Sequence, residues 1–101
     1  MKTTGEIIRE HREKKGLILR RVAAQLDIDT AILSKIERSE RRATREQIAK
    51  LAFILEMDKD DLLIQYLSDN IAYEIANDDL ACQALKLAEE KVSYLKEQKN
   101  K

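Results

Sequence analysis

Apolar residues recur along this chain at helical spacing, with no sustained two-residue alternation. Ile7 and Ile8 set the inner face of a first helix from about Gly5 to Lys15. Thr3 followed by Glu6 is a capping box, in which each side chain satisfies a backbone donor of the other. Gly16 supplies the stop. A short second helix covers about Leu19 to Leu26, with Val22, Ala23 and Leu26 on one side. Asp29 is placed to cap a third helix, whose inner face is Leu33 and Ile36. Thr44 and Gln47 form a second capping box and open a fourth helix, buried through Ile48, Leu51, Ala52 and Leu55.

Asp58 can cap a fifth helix, and Asp60 and Asp61 suit its positive N-terminal dipole. Leu63, Leu67, Ile71 and Ile75 carry it to about Ala76, with Ser68-Asp69 as an alternative break. Asn77-Asp78-Asp79 punctuates the chain before a last helix from about Leu80 to Glu97. Ala81, Leu85, Ala88, Val92 and Leu95 step along that helix as a heptad seam. The lysine-rich tail after Leu95 is expected to fray. These elements divide the chain into residues 1–67 and a helical extension of residues 68–101.

Composition narrows the picture. A chain of 101 residues with no proline, two glycines and 38% charged residues suits helices with solvated faces. The lone Cys82 cannot form an internal disulfide, so a reducing, cytoplasmic setting is the simpler expectation. No apolar run approaches the roughly 20 residues that span a bilayer, and the N-terminus does not read as a signal peptide. Formal net charge is zero, yet residues 1–57 hold 13 Lys and Arg against 9 Asp and Glu, and residues 58–101 hold 6 against 10. The first part is the one suited to a polyanion.

Residues 5–63 resemble the helix-turn-helix domain of the phage-repressor and Cro class, also called the xenobiotic-response-element class. The residues that carry the likeness are Gly16-Leu17, Val22-Ala23, Leu26, Ile28, Leu33-Ser34-Lys35-Ile36-Glu37-Arg38 and Leu51-Ala52…Leu55…Leu62. The resemblance implies an all-α chain: a five-helix, phage-repressor-like DNA-binding domain with a C-terminal helical extension. It implies that helix 3 enters the major groove of double-stranded DNA. Ala23 must then be small where helices 2 and 3 cross, and Ile28 anchors the turn. Thr30, Ala31 and Lys35 fall where members of the class touch base edges, and Ser34 shares their outer face. Arg38, Arg41, Arg42 and Arg45 suit phosphate contacts, with Arg20 and Arg21 as further candidates. Arg12 and Glu37 stand where the class often pairs an arginine with a glutamate. Four positions depart from the class: Leu19 replaces a phosphate-bracing glutamine, Asp27 and Ser39 replace glycines, and Ala43 replaces a proline. Leu19 either packs locally or belongs to a protein-contact surface.

The remaining chemistry is sparse. His11 is the only histidine and reads as a surface residue, so a zinc site is not expected. Cys82 reads as a half-buried helical residue, and Tyr66, Tyr73 and Tyr94 as core or dimer packing residues. No phosphate loop or nucleophile–histidine pair is present, and no cofactor, metal or enzymatic activity is expected. The sequence thus points to a transcriptional regulator acting as a homodimer on an inverted repeat. The seam from Ala81 to Leu95 would join the copies, with helix 5 as a second contributor, unless the last helix folds back onto its own domain. The alternative is a protein-interaction module, such as an antitoxin or accessory subunit with a protein partner.

Overall fold

The computed structural model describes residues 1–99. Among them lie six helices and no strand: α1 (Thr4–Lys14), α2 (Leu19–Gln25), α3 (Thr30–Glu37), α4 (Arg45–Ile54), α5 (Lys59–Ile75) and α6 (Ala81–Lys99). Both capping boxes form, Thr3 with Glu6 at α1 and Thr44 with Gln47 at α4. Asp58 Oδ1 accepts from the Asp61 amide at 2.9 Å and so caps α5. Asp29 occupies the cap position of α3, but its side chain accepts no capping bond there.

The chain divides into two compact units, Met1–Asn70 and Ile71–Lys101. Their boundary falls inside α5, which runs through Ser68-Asp69 without a break. In the first unit, Ile8, Val22, Ala23, Leu26, Leu33, Ile36, Ile48, Leu51, Ala52, Leu55, Leu62 and Leu63 form one core. Each comes from the inner stripe of its helix or the turn just beyond it. Gly5 is buried in this unit where α1 crosses the end of α3. A Cβ there would lie 2.3 Å from the Ile36 carbonyl oxygen, so the crossing admits only glycine as it stands.

Asp69 is a tertiary staple. Its Oδ2 accepts from both the backbone amide and the hydroxyl of Thr4, each at 2.7 Å. The Thr4 amide is one of the donors that a helix start leaves without an internal partner, and a carboxylate suits the positive end of α1. Thr4 is buried, so Asp69→Ala should strand both of its donors and cost about 1–3 kcal/mol. Urea denaturation measures this, and a loss below about 0.3 kcal/mol would show that water replaces the carboxylate freely.

Backbone turns fall where the helices end. Gly16 adopts φ 66°, and the non-glycine residues Asp27, Ser39 and Glu56 adopt φ 57°, 62° and 56°. Asp27 and Ser39 thus hold left-handed conformations without glycine's freedom.

In the second unit, α6 starts after Asp78, whose Oδ1 accepts from the Leu80 amide at 2.8 Å. The helix continues past Leu95 through Lys99. The rest of the expected tail, residues 100–101, lies outside the described residues. No residue of α6 is buried, and Leu85, Val92 and Leu95 of the seam are exposed in the single chain. Cys82 is exposed as well, which corrects the half-buried expectation: it sits off the seam, on a helix that buries no side chain.

Candidate nucleic-acid interface

The segment from α2 to α4 is built outward from its core. Val22 and Ala23 are 1% exposed, which lets α2 and α3 approach closely. Leu26 closes the end of α2, and half-buried Ile28 packs beneath the turn. Leu33 and Ile36 then seat α3 on the core. A helix seated on one face presents its opposite face at a fixed angle. That face carries exposed Thr30, Ala31 and Lys35, with Ser34 half-buried beside them.

The end of α3 is braced by Arg12. Its Nε donates to Glu37 Oε2 at 2.7 Å and its Nη2 to Glu37 Oε1 at 3.0 Å. Its Nη1 donates to the Leu17 carbonyl oxygen at 2.9 Å. Arg12 therefore ties α1, the loop after it and the last residue of α3 together. The Glu37 hydrogen bond raises the guanidinium pKa above its ordinary value, against the opposing effect of burial. Such a forked pair fixes orientation as well as distance.

Residues 38–44 carry Arg38, Arg41 and Arg42, and Arg45 opens α4; all four are exposed. This loop has two anchors. Ala43 is buried, and its carbonyl oxygen accepts from the Tyr66 hydroxyl at 2.8 Å. The Ser39 hydroxyl donates to Thr3 Oγ1 at 2.7 Å. Arg41, Arg42 and Arg45 make no ion pair with the described residues, whereas Arg38 Nη2 lies 3.0 Å from Glu40 Oε2. Arg20 and Arg21 are exposed at the start of α2. Leu19 is half-buried and packs against the core, the local one of its two possible roles. His11 is half-buried, with Nδ1 2.9 Å from the Ile7 carbonyl oxygen, so it is less of a surface residue than expected.

Two short helices crossing at a small residue, the second with one buried and one open face, and an arginine loop after it define a helix-turn-helix domain of the phage-repressor class. The HTH_3 helix-turn-helix family model matches residues 8–62, and the chain belongs to this family of DNA-binding transcription regulators. No curated protein sequence matches the chain. Among solved structures, it is similar to the clp gene regulator ClgR from C. glutamicum, at 27% identity and a TM-score of 0.55. That match covers 65% of this chain and 86% of ClgR. The P22 c2 repressor in complex with a synthetic operator is similar at 26% identity and a TM-score of 0.57, covering 61% of this chain and 94% of that one. SinR, a master regulator for biofilm formation, solved in complex with DNA, is similar at 26% identity and a TM-score of 0.55. The SinR match covers 60% of this chain and 98% of that one. No helix among the described residues is long and apolar enough to cross a membrane.

Proposed function

We propose that this chain binds double-stranded DNA in a sequence-specific manner, as a homodimer, with α3 in the major groove of each half of an inverted repeat. The observation that carries the reading is the division of α3 into a buried face of Leu33, Ile36 and Glu37 and an open face of Thr30, Ala31 and Lys35. Lys35 donates to guanine O6 and N7, the methyls of Thr30 and Ala31 meet thymine methyls, and Ser34 bonds an adjacent base edge. Arg20, Arg21, Arg38, Arg41, Arg42 and Arg45 contact phosphates, which position the domain without reading sequence. One short helix reads few base pairs, so two copies about 34–36 Å apart, or a multiple of that, are needed. The seam of Ala81, Leu85, Ala88, Val92 and Leu95 joins them. Leu19, the residue that favoured a protein-interaction module, packs against the core of its own domain and is half-buried.

Selection of bound sites from random duplex DNA tests the reading. A palindromic site is expected, and no enrichment would overturn it. On the selected site, Lys35→Ala should cost about 1–3 kcal/mol of specific affinity and much less on random duplex. Equal losses on both would remove its base-reading role. Arg41→Ala and Arg42→Ala should weaken both DNAs alike and lower the salt slope by about one each. Truncation after Asn77 should yield a monomer by sedimentation, and a truncated chain as dimeric as the full one would dispose of the seam.

A further inference from the structure

The arginine loop is held unevenly along its length. At its start, the Ser39 amide donates to the Ile36 carbonyl oxygen at 3.1 Å and the Glu40 amide to that of Lys35 at 2.9 Å. At its end, the Thr44 amide donates to Gln47 Oε1 at 2.9 Å, and α4 begins. Between these points, Arg41, Arg42 and Ala43 make no backbone–backbone hydrogen bond among the described residues. Exposed Arg41 and Arg42 thus stand on a stretch that its own backbone does not secure.

A polar tether reaches this stretch from α5. Ala43 is 6% exposed, and its carbonyl oxygen accepts from the Tyr66 hydroxyl at 2.8 Å. The Tyr66 ring is half-buried and packs against the core, so its hydroxyl is a fixed point. Both ends of the bond belong to the first unit. Ala43 has no ring to stiffen its own backbone, as a proline would. The restraint comes instead from across the domain.

We propose that Tyr66 is a positioning residue for DNA binding: its hydroxyl fixes the backbone at Ala43 and so holds Arg41 and Arg42 in place for phosphates. It touches no DNA itself. The inference rests on the DNA-binding reading above. A phosphate contact made from a loose backbone must order that backbone at every binding event, and a backbone already fixed escapes the cost. Arg42 adjoins the tethered residue and Arg41 is one further on, so little slack separates anchor from contact. Phenylalanine at position 66 keeps the ring and loses only the donor, which separates the tether from the packing.

A double-mutant cycle on the full-length chain tests the assignment. Affinity for random duplex at low salt is measured for the unsubstituted chain, Tyr66→Phe, Arg41→Ala with Arg42→Ala, and all three changes together, well below each melting temperature. Tyr66→Phe should weaken binding about threefold to tenfold. Where both arginines are already gone, it should cost less than about twofold, because the contacts it positions are absent. On a selected site its loss should match that on random duplex, since phosphate contacts carry no sequence information. Ile8→Val is the control for stability: it removes one methylene-sized group from a fully buried position on α1 and should change binding less than about twofold. Equal losses from Tyr66→Phe with and without the arginines would show an effect on the fold at large and overturn the assignment. So would unchanged binding in Tyr66→Phe, a loss confined to the selected site, or an equal loss in Ile8→Val. A chain that binds no duplex overturns the DNA-binding reading and this assignment with it. A chain that binds duplex and is indifferent to Tyr66→Phe overturns the assignment alone.

Discussion

Replacing Glu37 with alanine is expected to lower stability by about 3–5 kcal/mol, the cost of stranding one member of a buried ion pair. Glu37 is 5% exposed and takes two of the three hydrogen bonds that the Arg12 guanidinium makes. Arginine stays charged at any working pH, so the stranded cation cannot neutralise itself. The Leu17 carbonyl and the more exposed Glu13 carboxylate, 4.0 Å from Nη2, would remain to it. Small domains hold only about 5–15 kcal/mol in all, and each kcal/mol moves the melting point by roughly 4–8 °C at this size. The melting temperature should therefore fall by more than about 10 °C. Changing both residues together, Arg12→Leu with Glu37→Leu, should cost less than Glu37→Ala alone, because no charge is left stranded. Calorimetry of the three variants decides. If the double change proves the more damaging, the pair stabilises the fold by its own attraction, and stranding is not the dominant cost.

The second large effect is expected at Gly5. Alanine is ordinarily the better helix former by about 1 kcal/mol, so Gly5→Ala would stabilise an open helix. Here the added methyl meets backbone, 2.3 Å from the Ile36 oxygen and 2.7 Å from the Glu37 oxygen. Neither atom can swing aside as a side chain would, so α1 must move away from α3. Overpacking of this kind costs typically about 1–3 kcal/mol and occasionally more, and the rigid obstacle places Gly5→Ala at the upper end. The displaced helix carries Arg12, so the brace at the end of α3 loosens with it. Gly16→Ala is the natural comparison: it meets open space and bears only the left-handed cost, about 1–2 kcal/mol. Urea midpoints should rank Gly5→Ala well below Gly16→Ala, and the reverse order would remove the close-approach explanation.

What is legible in the chain divides by sequence distance. The capping boxes at Thr3 and Thr44 were legible because partners three residues apart meet wherever a helix begins. The core stripe of α4 was legible because helical periodicity needs no knowledge of the partner. Thr4 and Asp69 lie 65 residues apart, and nothing local marks their meeting; Ser68-Asp69 read as a candidate break because polar side chains often end helices. Gly5 looked like an unexceptional helical residue, since the carbonyls it must avoid belong to α3. The Tyr66 hydroxyl bond to Ala43 was equally hidden, although Tyr66 itself read as a packing residue. Glu56 gave no sign of its left-handed backbone, because glutamate is not a usual turn former. Arg12 and Glu37 came into view only through family resemblance, since spacing alone does not say which arginine meets which carboxylate. The exposed positions of Thr30, Ala31 and Lys35 followed from the periodicity that buries Leu33 and Ile36.

Ser39 carries a consequence for how such a sequence can drift. A glycine there would relieve the left-handed backbone, but the greater freedom of the unfolded chain would cost about 0.4–1 kcal/mol. It would also remove the hydroxyl that reaches Thr3, a bond of about 0.5–1.5 kcal/mol net. The gain and the losses are of one size, so serine and glycine at this position leave the domain close to equally stable. A lineage can cross between them in a single step, and the junction beside the arginine loop can vary while the helices on either side stay fixed.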